Sequence, residues 1–528
     1  QVVDNNTTDP NLWRPIEEYC RRLGPRFSFL HLEDWPGYKA GALNEATRRL
    51  PPDVEVIGVV DSDYTVDPNW LRDVAGYFAD PQVAFVQTPQ DYRDWEDEPY
   101  LRGLYYSYRY FFALSMPARA HRNAIIFAGT MGLLRRRALE ATGGWEESCI
   151  TEDAEASLRM LGRGWSGIYV PTAAGKGMMP LTFDGLKKQR FRWALGGIQI
   201  LRRHWRDLIG VGELRLTFAQ RLHYLMGGLH WFGDIFQVFF TTLLLATAVA
   251  VAMHQALPIR QVTTSVLAIP LALLVTGLAR ALWALRASTG CRWRDALMAM
   301  RVWFALSWIT AIACVRGVLR YQTAFLRTPK APEEGKRWLR ALAASRTESV
   351  IAIATALAGV AMLVRSPGIA TAILAVLIAW QASVYANAPL AGMLAEGIRL
   401  TPERSRFLRS SQTTGERAAR VGMAVAIPSA ALALVVVAVL LGTLGTRLGT
   451  PGPPPSGPLL GPPSRGAPVL STSPAPSATG SPSPAGTAAP TAAPTPVSTP
   501  PPHGTPGGGP SPPSTPGGAP TPRATGTP

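Results

Sequence analysis

The chain has 528 residues, of which 47% are hydrophobic, and its formal net charge is +16. Its four cysteines lie far apart and the sequence has no CxxC or HExxH pattern, which argues against a disulfide scaffold or a zinc site. Several apolar runs approach or exceed the length that crosses a bilayer, so a wholly soluble protein is excluded. Many arginines flank these runs, so we assign the positive charge to membrane flanks and not to nucleic-acid binding.

Residues 1–205 alternate short β-rich runs with helical stretches, which predicts a mostly parallel sheet covered by helices. The predicted strands are 1–4, 27–32, 54–60, 83–87 and 124–127, and the predicted helices are 11–23, 40–50, 69–78 and 152–162. Ligands of such sheets bind at the carboxyl ends of strands, so acidic residues there are candidates for function. Because the chain starts inside a predicted strand, we expect natural sequence to precede Gln1.

Residues 206–445 hold six apolar runs, at 226–252, 264–285, 302–315, 349–364, 368–391 and 421–444. As a helix the third run is about 21 Å long, which is short of the ~30 Å hydrocarbon core. Arginines flank both of its ends, so we expect it to lie in the interface, where Trp303 and Trp308 are well suited. The alternative is that it spans while Arg301 and Arg316 reach the headgroups.

The other five runs predict a multi-pass protein of the plasma (inner) membrane with its α/β domain in the cytosol. The sixth run would then carry residues 446–528 outside, whereas a spanning third run would leave them inside. Residues 451–528 contain 26 of the 47 prolines, no acidic residue and no aromatic residue. This composition predicts a disordered, extended spacer that forms no core.

Two polar patterns suit a bound diphosphate, and a third suits a nucleobase. Asp61 and Asp63 follow the predicted strand 54–60, where two carboxylates can converge on a hard divalent cation, although surface loops carry the same pattern by chance. Lys39 opens a predicted helix, an arrangement suited to a diphosphate; a solvated lysine is the alternative. Asp4 ends another predicted strand and is placed to accept hydrogen bonds from a nucleobase, or to form an Asx turn.

Two further patterns suit transfer of a sugar. Asp153 follows Thr151 and Glu152 at a predicted helix start, where it serves either as a general base or only as a first-turn acid behind an N-cap. Arg192 can neutralise a leaving diphosphate, and Trp193 can stack on the apolar face of a sugar. The alternative for this stretch is an interfacial segment of basic and aromatic residues.

Taken in order, these residues resemble the processive family-2 glycosyltransferases of the cellulose, chitin and hyaluronan synthase group. That family has the pattern D, DxD, TED and QxxRW, and this chain has Asp4, Asp61 to Asp63, Thr151 to Asp153 and Gln189 to Trp193. Residues 85–90, 127–130, 138–145 and 151–159 resemble its flanking segments, and 325–328 resemble its gating loop. The resemblance covers about residues 1–400.

The resemblance implies an α/β GT-A domain (1–205), then transmembrane and interfacial helices (206–445) and a disordered tail (446–528). It implies a membrane-embedded inverting hexosyltransferase that polymerises and exports a β-linked polysaccharide. The implied roles are nucleotide and diphosphate binding by Asp4, Lys39, Asp61, Gln189 and Arg192, metal binding by Asp61 and Asp63, catalysis by Asp153, acceptor binding by Gly129, Thr130 and Trp193, and gating by Phe325 and Thr328.

The implied partners follow from the same resemblance. The cofactor is Mg²⁺ or Mn²⁺, and the donor is a UDP-sugar, with GDP-mannose as the alternative. The growing polysaccharide, the lipid bilayer and accessory secretion or activator subunits complete the set, and no nucleic acid is expected. A transferase that adds one sugar to a lipid carrier, and a non-catalytic membrane scaffold, are the competing interpretations.

Three features depart from the family pattern. Arg327 stands where cellulose synthases have Val in the gating loop, and the family's first strand would precede Gln1. The segment from Gly129 to Gly132 lacks the Cys common in cellulose synthases, which favours a mannan-type enzyme.

Overall fold

The computed structural model describes residues 1–254, 264–319, 337–399 and 401–402. All strands found in these ranges fall within the first 205 residues, as the sequence predicts. They are β1 (Val2–Asn5), β2 (Phe29–Leu32), β3 (Val56–Val59), β4 (Thr65–Val66), β5 (Val83–Gln87), β6 (Asp91–Tyr92), β7 (Gly132–Arg135), β8 (Ser166–Tyr169) and β9 (Gly175–Gly177).

The central sheet has the strand order β3-β7-β5-β8. Strand β7 is antiparallel to both of its neighbours, whereas β8 is parallel to β5, so the sheet is mixed and the mostly parallel prediction needs this correction. A parallel pair, β1 and β2, places Asp4 opposite His31. A third small sheet has the order β4-β9-β6.

Helices cover these sheets and follow the predicted ranges closely. Helix α7 begins and ends where the sequence predicts, and α1, α2 and α3 lie within the other three predicted ranges to within two residues at their starts. The helices up to residue 209 are α1 (Pro10–Leu23), α2 (Tyr38–Arg48), α3 (Trp70–Ala75), α4 (Pro99–Tyr110), α5 (Met116–Ala120), α6 (Arg136–Ala141), α7 (Glu152–Gly162), α8 (Phe183–Arg203) and α9 (Trp205–Ile209).

One predicted strand is wrong. Residues 124–127, buried except for the partly buried Ile126, form no strand, and the strand lies at β7 instead. Side chains bond the backbone of this segment in place of a neighbouring strand: Arg119 donates to the carbonyl of Ala124, and the Tyr224 hydroxyl donates to that of Ile125. An apolar run alone does not distinguish this arrangement from a strand, because both bury the same side chains.

Helix α8 joins the α/β part to the apolar helices. It is capped by Thr182, whose hydroxyl accepts from the backbone N–H of Gly185 at 3.1 Å, and most of its residues are buried. Lys187 on α8 pairs at 2.6 Å with Glu348, and Arg102 on α4 pairs at 2.9 Å with Asp295. Since Glu348 and Asp295 are buried, these ion pairs fix the α/β part against the helices that follow.

Four helical segments are long and apolar enough to cross a membrane. They are Phe218–Ala252, Ala268–Thr289, Arg346–Arg365 and Ile369–Glu396, and they coincide with four of the runs predicted to span. The helices here are α10 (Phe218–Leu229), α11 (Phe232–Ala252), α12 (Thr264–Thr289), α13 (Trp293–Ala305), α14 (Ser307–Leu319), α15 (Arg337–Ala344), α16 (Arg346–Arg365) and α17 (Ile369–Glu396).

The third apolar run, residues 302–315, is not a single helix. It comprises the end of α13 and most of α14, which are bent by 43° relative to each other and together form either a broken span or a re-entrant loop. Trp308, predicted to face the interface, is buried beside Ile351 and Tyr385. Whether the pair crosses the bilayer stays a prediction. The run 421–444, the tail and the gating residues Phe325 and Thr328 lie outside the described residues.

Candidate active site

The acidic turn after β3 lies beside the start of α2. The Lys39 ammonium donates to Asp61 Oδ1 at 2.7 Å and to the Gly129 carbonyl at 3.2 Å. The Asp61 backbone N–H in turn donates to the Thr130 hydroxyl at 3.0 Å. The structure therefore brings four predicted site residues into one hydrogen-bonded group, although 90 positions separate Lys39 from Gly129.

Charge around Lys39 favours its protonated form. Burial disfavours the ammonium, but attraction to Asp61, Glu152 and Asp153 outweighs this and holds the pKa of Lys39 well above its ordinary value. Lys39 is accordingly a permanent cation close to the acidic side chains of Asp61, Glu152 and Asp153. Such a cation is suited to the oxygens of a diphosphate.

The helix α7 presents two adjacent carboxylates to this group. Burial raises the pKa of Asp153, and nearby Lys39 opposes the rise. Burial and the charge of Asp153 raise the pKa of Glu152 to about 8. Thr151 occupies the N-cap position, but its side chain makes no capping hydrogen bond and packs against Gly196 of α8. Thr151 therefore does not cap the helix, which was the alternative interpretation. What the start of α7 contributes to the site is its two acidic side chains.

Gly129 has a steric reason for its lack of a side chain. Its φ is +77°, and a Cβ atom there would lie 2.5 Å from Asp153 Oδ2. Any larger residue would displace the carboxylate or strain the backbone. Gly129 therefore sits in direct contact with Asp153 while its carbonyl holds Lys39.

Two glutamines fix the segment that carries Gly129, and the sequence analysis gave neither of them a role. Buried Gln87, at the end of β5, accepts from the Ala128 N–H at 2.8 Å and donates to the Thr130 carbonyl at 2.9 Å. Gln90 donates to the Ala128 carbonyl at 2.6 Å. Gln87 ends a buried apolar run, and the same pattern identified Asp61, so the sequence held a signal for Gln87.

The residues of α8 form the other side of the site. Gln189 accepts a hydrogen bond from the hydroxyl of Tyr108, a residue that the sequence analysis also missed. Arg192 is half-buried and is attracted electrostatically to Glu152 and Asp61, which connects it to the group around Lys39. The ring of Trp193 lies 5.4 Å from that of Tyr108.

A cavity of about 830 Å³ connects this site to the apolar helices. Asp153, Thr151 and Trp193 line it. Residues of α11, α13 and α14 line it as well, among them Gln237, Phe304 and Thr310. Asp153 thus borders a space that it shares with the apolar helices.

Asp4 belongs to a separate cluster. Its carboxylate accepts from the Thr7 hydroxyl at 2.7 Å, and its other oxygen lies 2.7 Å from Nδ1 of His31. The structure thus ties Asp4 to the β1–β2 pair, and its nucleobase role stays a prediction. Asp63 is half-buried in the turn that carries Asp61.

The acidic turn fits a hard divalent cation. Among residues 1–254, 264–319, 337–399 and 401–402, no group of three or more His, Cys, Asp or Glu side chains is arranged to hold a metal ion. Asp61 and Asp63 offer carboxylate oxygens, and the Asp61 side chain is 43% exposed. Mg²⁺ and similar ions take few protein carboxylates and fill their remaining positions with water and phosphate oxygens, so two ligands suffice.

The sequence profile described as "Glycosyl transferase family group 2" matches residues 56–381, more than half of the 528. The chain belongs to this family. The predicted family-2 hexosyltransferase domain is confirmed, and the mixed sheet with its acidic turn after β3 is the GT-A fold expected for it. The prediction that this domain is followed by several apolar helices is confirmed as well.

Curated relatives of this family-2 chain include two kinds of polysaccharide synthase. The cellulose synthase catalytic subunit [UDP-forming] of Komagataeibacter sucrofermentans is 35% identical over 211 residues, covering 38% of this chain and 27% of the relative. Glucomannan 4-beta-mannosyltransferase 2 of Arabidopsis thaliana is 28% identical over 221 residues, covering 41% of each. The matched stretch thus spans less than half of these relatives.

Among solved structures, a mannosyltransferase of Pyrobaculum calidifontis in complex with GDP-Man and Mn²⁺ is similar to this family-2 chain. The sequence identity is 17%, the match covers 60% of this chain and 77% of the other, and the TM-score is 0.35.

Proposed function

We propose that the protein is a membrane-embedded, inverting glycosyltransferase that polymerises a β-linked polysaccharide from a nucleotide-diphosphate sugar. The observation that carries this proposal is the position of Asp153. Its carboxylate lies beside the Lys39 and Asp61 group and also lines a cavity that continues among apolar helices. A donor site and a route for a long product therefore meet at one carboxylate.

Asp153 would act as the general base. Its carboxylate takes the proton of the acceptor hydroxyl while that oxygen attacks the anomeric carbon of the donor. The bond between the anomeric carbon and the phosphate oxygen breaks, and the nucleoside diphosphate leaves with that electron pair. One in-line displacement inverts the configuration. The raised pKa of Asp153 brings its basicity closer to neutral pH, which suits a general base.

The donor is bound through its diphosphate. Lys39 and Arg192 supply positive charge near Asp61, where charge would develop on the leaving group. Asp61 and Asp63 would hold Mg²⁺ or Mn²⁺, which supplies further charge stabilisation to the diphosphate. We further propose that Asp4 and Gln189 contact the nucleotide and the leaving group.

The acceptor enters from the cavity. Trp193 offers an indole face for the terminal sugar, and Gly129 and Thr130 shape the wall between Asp153 and Asp61. The catalytic part would lie in the cytosol, and the product would leave through the cavity and across the bilayer. Phe325 and Thr328 are proposed to cover the donor, as in the family that the sequence resembles.

The donor sugar is a UDP-sugar or GDP-mannose. The name of one relative specifies release of UDP, and the name of another specifies a mannosyl transfer. The charged residues of the site would bind the diphosphate, which both donors share. We favour a hexose donor, with the sugar decided by the shape of the pocket.

Incorporation of radiolabelled sugar tests the proposal. Vesicles containing the full-length protein receive UDP-glucose, UDP-N-acetylglucosamine or GDP-mannose, each with Mg²⁺ or Mn²⁺, and the product is sized. Long polymer from one donor, absent in an Asp153→Asn variant, is the expected result. A short lipid-linked product would replace the proposal with single-sugar addition, and absence of both nucleotide-sugar binding and incorporation would favour the scaffold.

A further inference from the structure

The turn between α12 and α13 contains a small pocket that the proposed mechanism does not use. Its volume is about 180 Å³, and it is lined by Trp283, Arg286, Ala287, Gly290 and Cys291. Gly290, with φ +69°, stops α12 here, and its N–H donates to the carbonyl of Arg286 at 2.9 Å. The pocket therefore lies at the end of the candidate membrane span Ala268–Thr289.

Helix α12 is covered by little of the protein itself. Only 6% of its most apolar window is buried, against 33–39% in the other three candidate spans. Large apolar side chains along it are exposed, among them Ile269, Leu273 and Trp283. In a bilayer, acyl chains cover such a surface, so a lipid lying along α12 brings its headgroup to the pocket.

Three arginines around the pocket carry charge that no carboxylate neutralises. Arg286 lies in the last turn of α12, and Arg292 and Arg294 flank the first residue of α13. All three are exposed, and none forms an ion pair within the described part of the chain. The adjacent carboxylate of Asp295 is buried and pairs with Arg102 at 2.9 Å instead. Positive charge is therefore in local excess beside an apolar surface.

The arrangement of these side chains suits a phosphate group. The centre of the Arg286 guanidinium lies 5.0 Å from the ring centroid of Trp293, and this contact holds the cation across the turn between the two helices. Arg292 occupies the N-cap position of α13 but makes no side-chain capping hydrogen bond, so its side chain does not block the first turn. An anion placed there meets the guanidinium and the positive end of the helix dipole together.

The pocket lies on the same side of the apolar helices as the α/β part. Leu285 and Cys291 are buried, and they belong to a cluster against which Tyr106 and Tyr110 of α4 pack. In the proposed topology this side is cytosolic. The exposed indoles of Trp283 and Trp293 are typical of side chains at headgroup level.

We propose that this arginine corner, defined as Trp283, Arg286, Gly290, Arg292, Trp293 and Arg294, binds an anionic phospholipid of the cytosolic leaflet. Arg286 would donate to the phosphodiester oxygens, and Arg292 and Arg294 would add attraction for the negative headgroup. The same three cations would repel the quaternary ammonium of a zwitterionic lipid, so the corner selects net negative charge. The inference needs the proposed membrane embedding but none of the sugar chemistry.

Native mass spectrometry of the full-length protein tests the arginine corner. The protein in detergent micelles is titrated with phosphatidylglycerol or with phosphatidylcholine, and the lipids retained by each chain are counted. Arg286→Gln and the double variant Arg292→Gln/Arg294→Gln remove charge at exposed positions. The matched control is Arg365→Gln, since Arg365 is exposed at the end of another candidate span.

The wild type is expected to bind phosphatidylglycerol more tightly than phosphatidylcholine. Arg286→Gln should weaken binding of the first phosphatidylglycerol about fivefold and the double variant about 25-fold, whereas Arg365→Gln should match the wild type. Equal affinity in all four proteins, or equal affinity of the wild type for both lipids, would overturn the proposal. Excess sn-glycerol 3-phosphate should not displace the lipid, and displacement would replace the lipid site with a free-phosphate site.

Two further outcomes separate this inference from its alternatives. A dimer that retains no lipid would assign the exposed surface of α12 to a second copy of the chain and overturn the proposal. Polymer synthesis is assayed on the same preparations. Selective lipid binding without synthesis would leave the arginine corner standing while the proposed function fails, and synthesis without selective lipid binding would do the reverse.

Discussion

The two sides of the candidate active site are built from different chemistry. On the donor side, Lys39, Asp61, Thr130 and Gln87 are held by hydrogen bonds of 2.7–3.2 Å. On the acceptor side, a cavity of about 830 Å³ is lined largely by aromatic and small residues. A fixed array of charges suits a leaving diphosphate, which must be stabilised at one place. Aromatic walls suit a neutral chain, because stacking tolerates movement along the surface.

This difference predicts that changes on the donor side remove the chemistry, whereas changes on the acceptor side alter the product. The largest effect is expected at Asp153, where the two sides meet. Asp153→Asn removes the base but keeps the shape, so the transfer rate should fall by about 10³-fold while nucleotide binding is retained. Sugar transfer and nucleotide affinity are the measurements, with Asp184→Asn, a half-exposed carboxylate, as the control. Synthesis that persists, or nucleotide binding that is lost, would contradict the assignment.

The next effect tests whether contact with Gly129 positions the Asp153 carboxylate. Gly129→Ala places a methyl group 2.5 Å from Asp153 Oδ2, so the transfer rate should fall by about 100-fold. Gly164→Ala is a matched control, because Gly164 has φ +91° with no atom within 4 Å of its added Cβ. Equal losses in the two variants would attribute the effect to backbone strain and not to the carboxylate.

A smaller effect is expected at Gln87, whose side-chain amide holds the segment that carries Gly129. Gln87→Leu leaves the Ala128 N–H and the Thr130 carbonyl without their side-chain partner. The free energy of unfolding should fall by about 2 kcal/mol and the rate by about tenfold. Thermal unfolding and transfer assays measure both. The exposed Gln82→Leu is the control, and a Gln87→Leu variant of unchanged stability would show that the amide does not support this segment.

The smallest effect concerns pH. Folded Glu152 holds its proton up to about pH 8, whereas its ordinary pKa is 4.5, so the folded state binds more protons between these values. Stability should therefore fall as pH rises from about 4.5 to about 8. Glu152→Gln removes this titration.

The decrease in Tm between pH 5 and pH 8.5 should be several degrees smaller in Glu152→Gln than in the wild type, because the variant binds no proton at this position. Glu140→Gln, with a side chain 53% exposed, should keep the wild-type profile. If Glu152→Gln keeps the wild-type decrease, the carboxyl of Glu152 is ionised in the folded protein at neutral pH.

Much of the donor side was predictable from sequence because its residues stand at element boundaries. Asp61 follows a strand and Asp153 starts a helix, and both boundaries have local signals. The segment 124–127 was mispredicted as a strand, since the backbone of residues 124–128 is bonded by Arg119 and by three side chains that are distant in sequence, Gln87, Gln90 and Tyr224. No local pattern reports such partners.

The acceptor side was harder to predict for a similar reason. Arg190 and Trp231 meet only because α8 packs against the break between α10 and α11, with Gly197 at the contact. Likewise, the bend between α13 and α14 divides an apolar run that shows no helix breaker. Periodicity gives the existence of such helices, whereas their packing decides which side chains share a cavity.

The most direct test of the central claim is an electron cryomicroscopy map of the full-length protein in nanodiscs, stopped during synthesis by removing the donor. The account predicts continuous saccharide density that begins beside Asp153, stacks on Trp193, passes Trp231 and enters the space among α11, α13 and α14. A sugar bound only to a lipid at the outer surface of the helices, with this cavity empty, would contradict it.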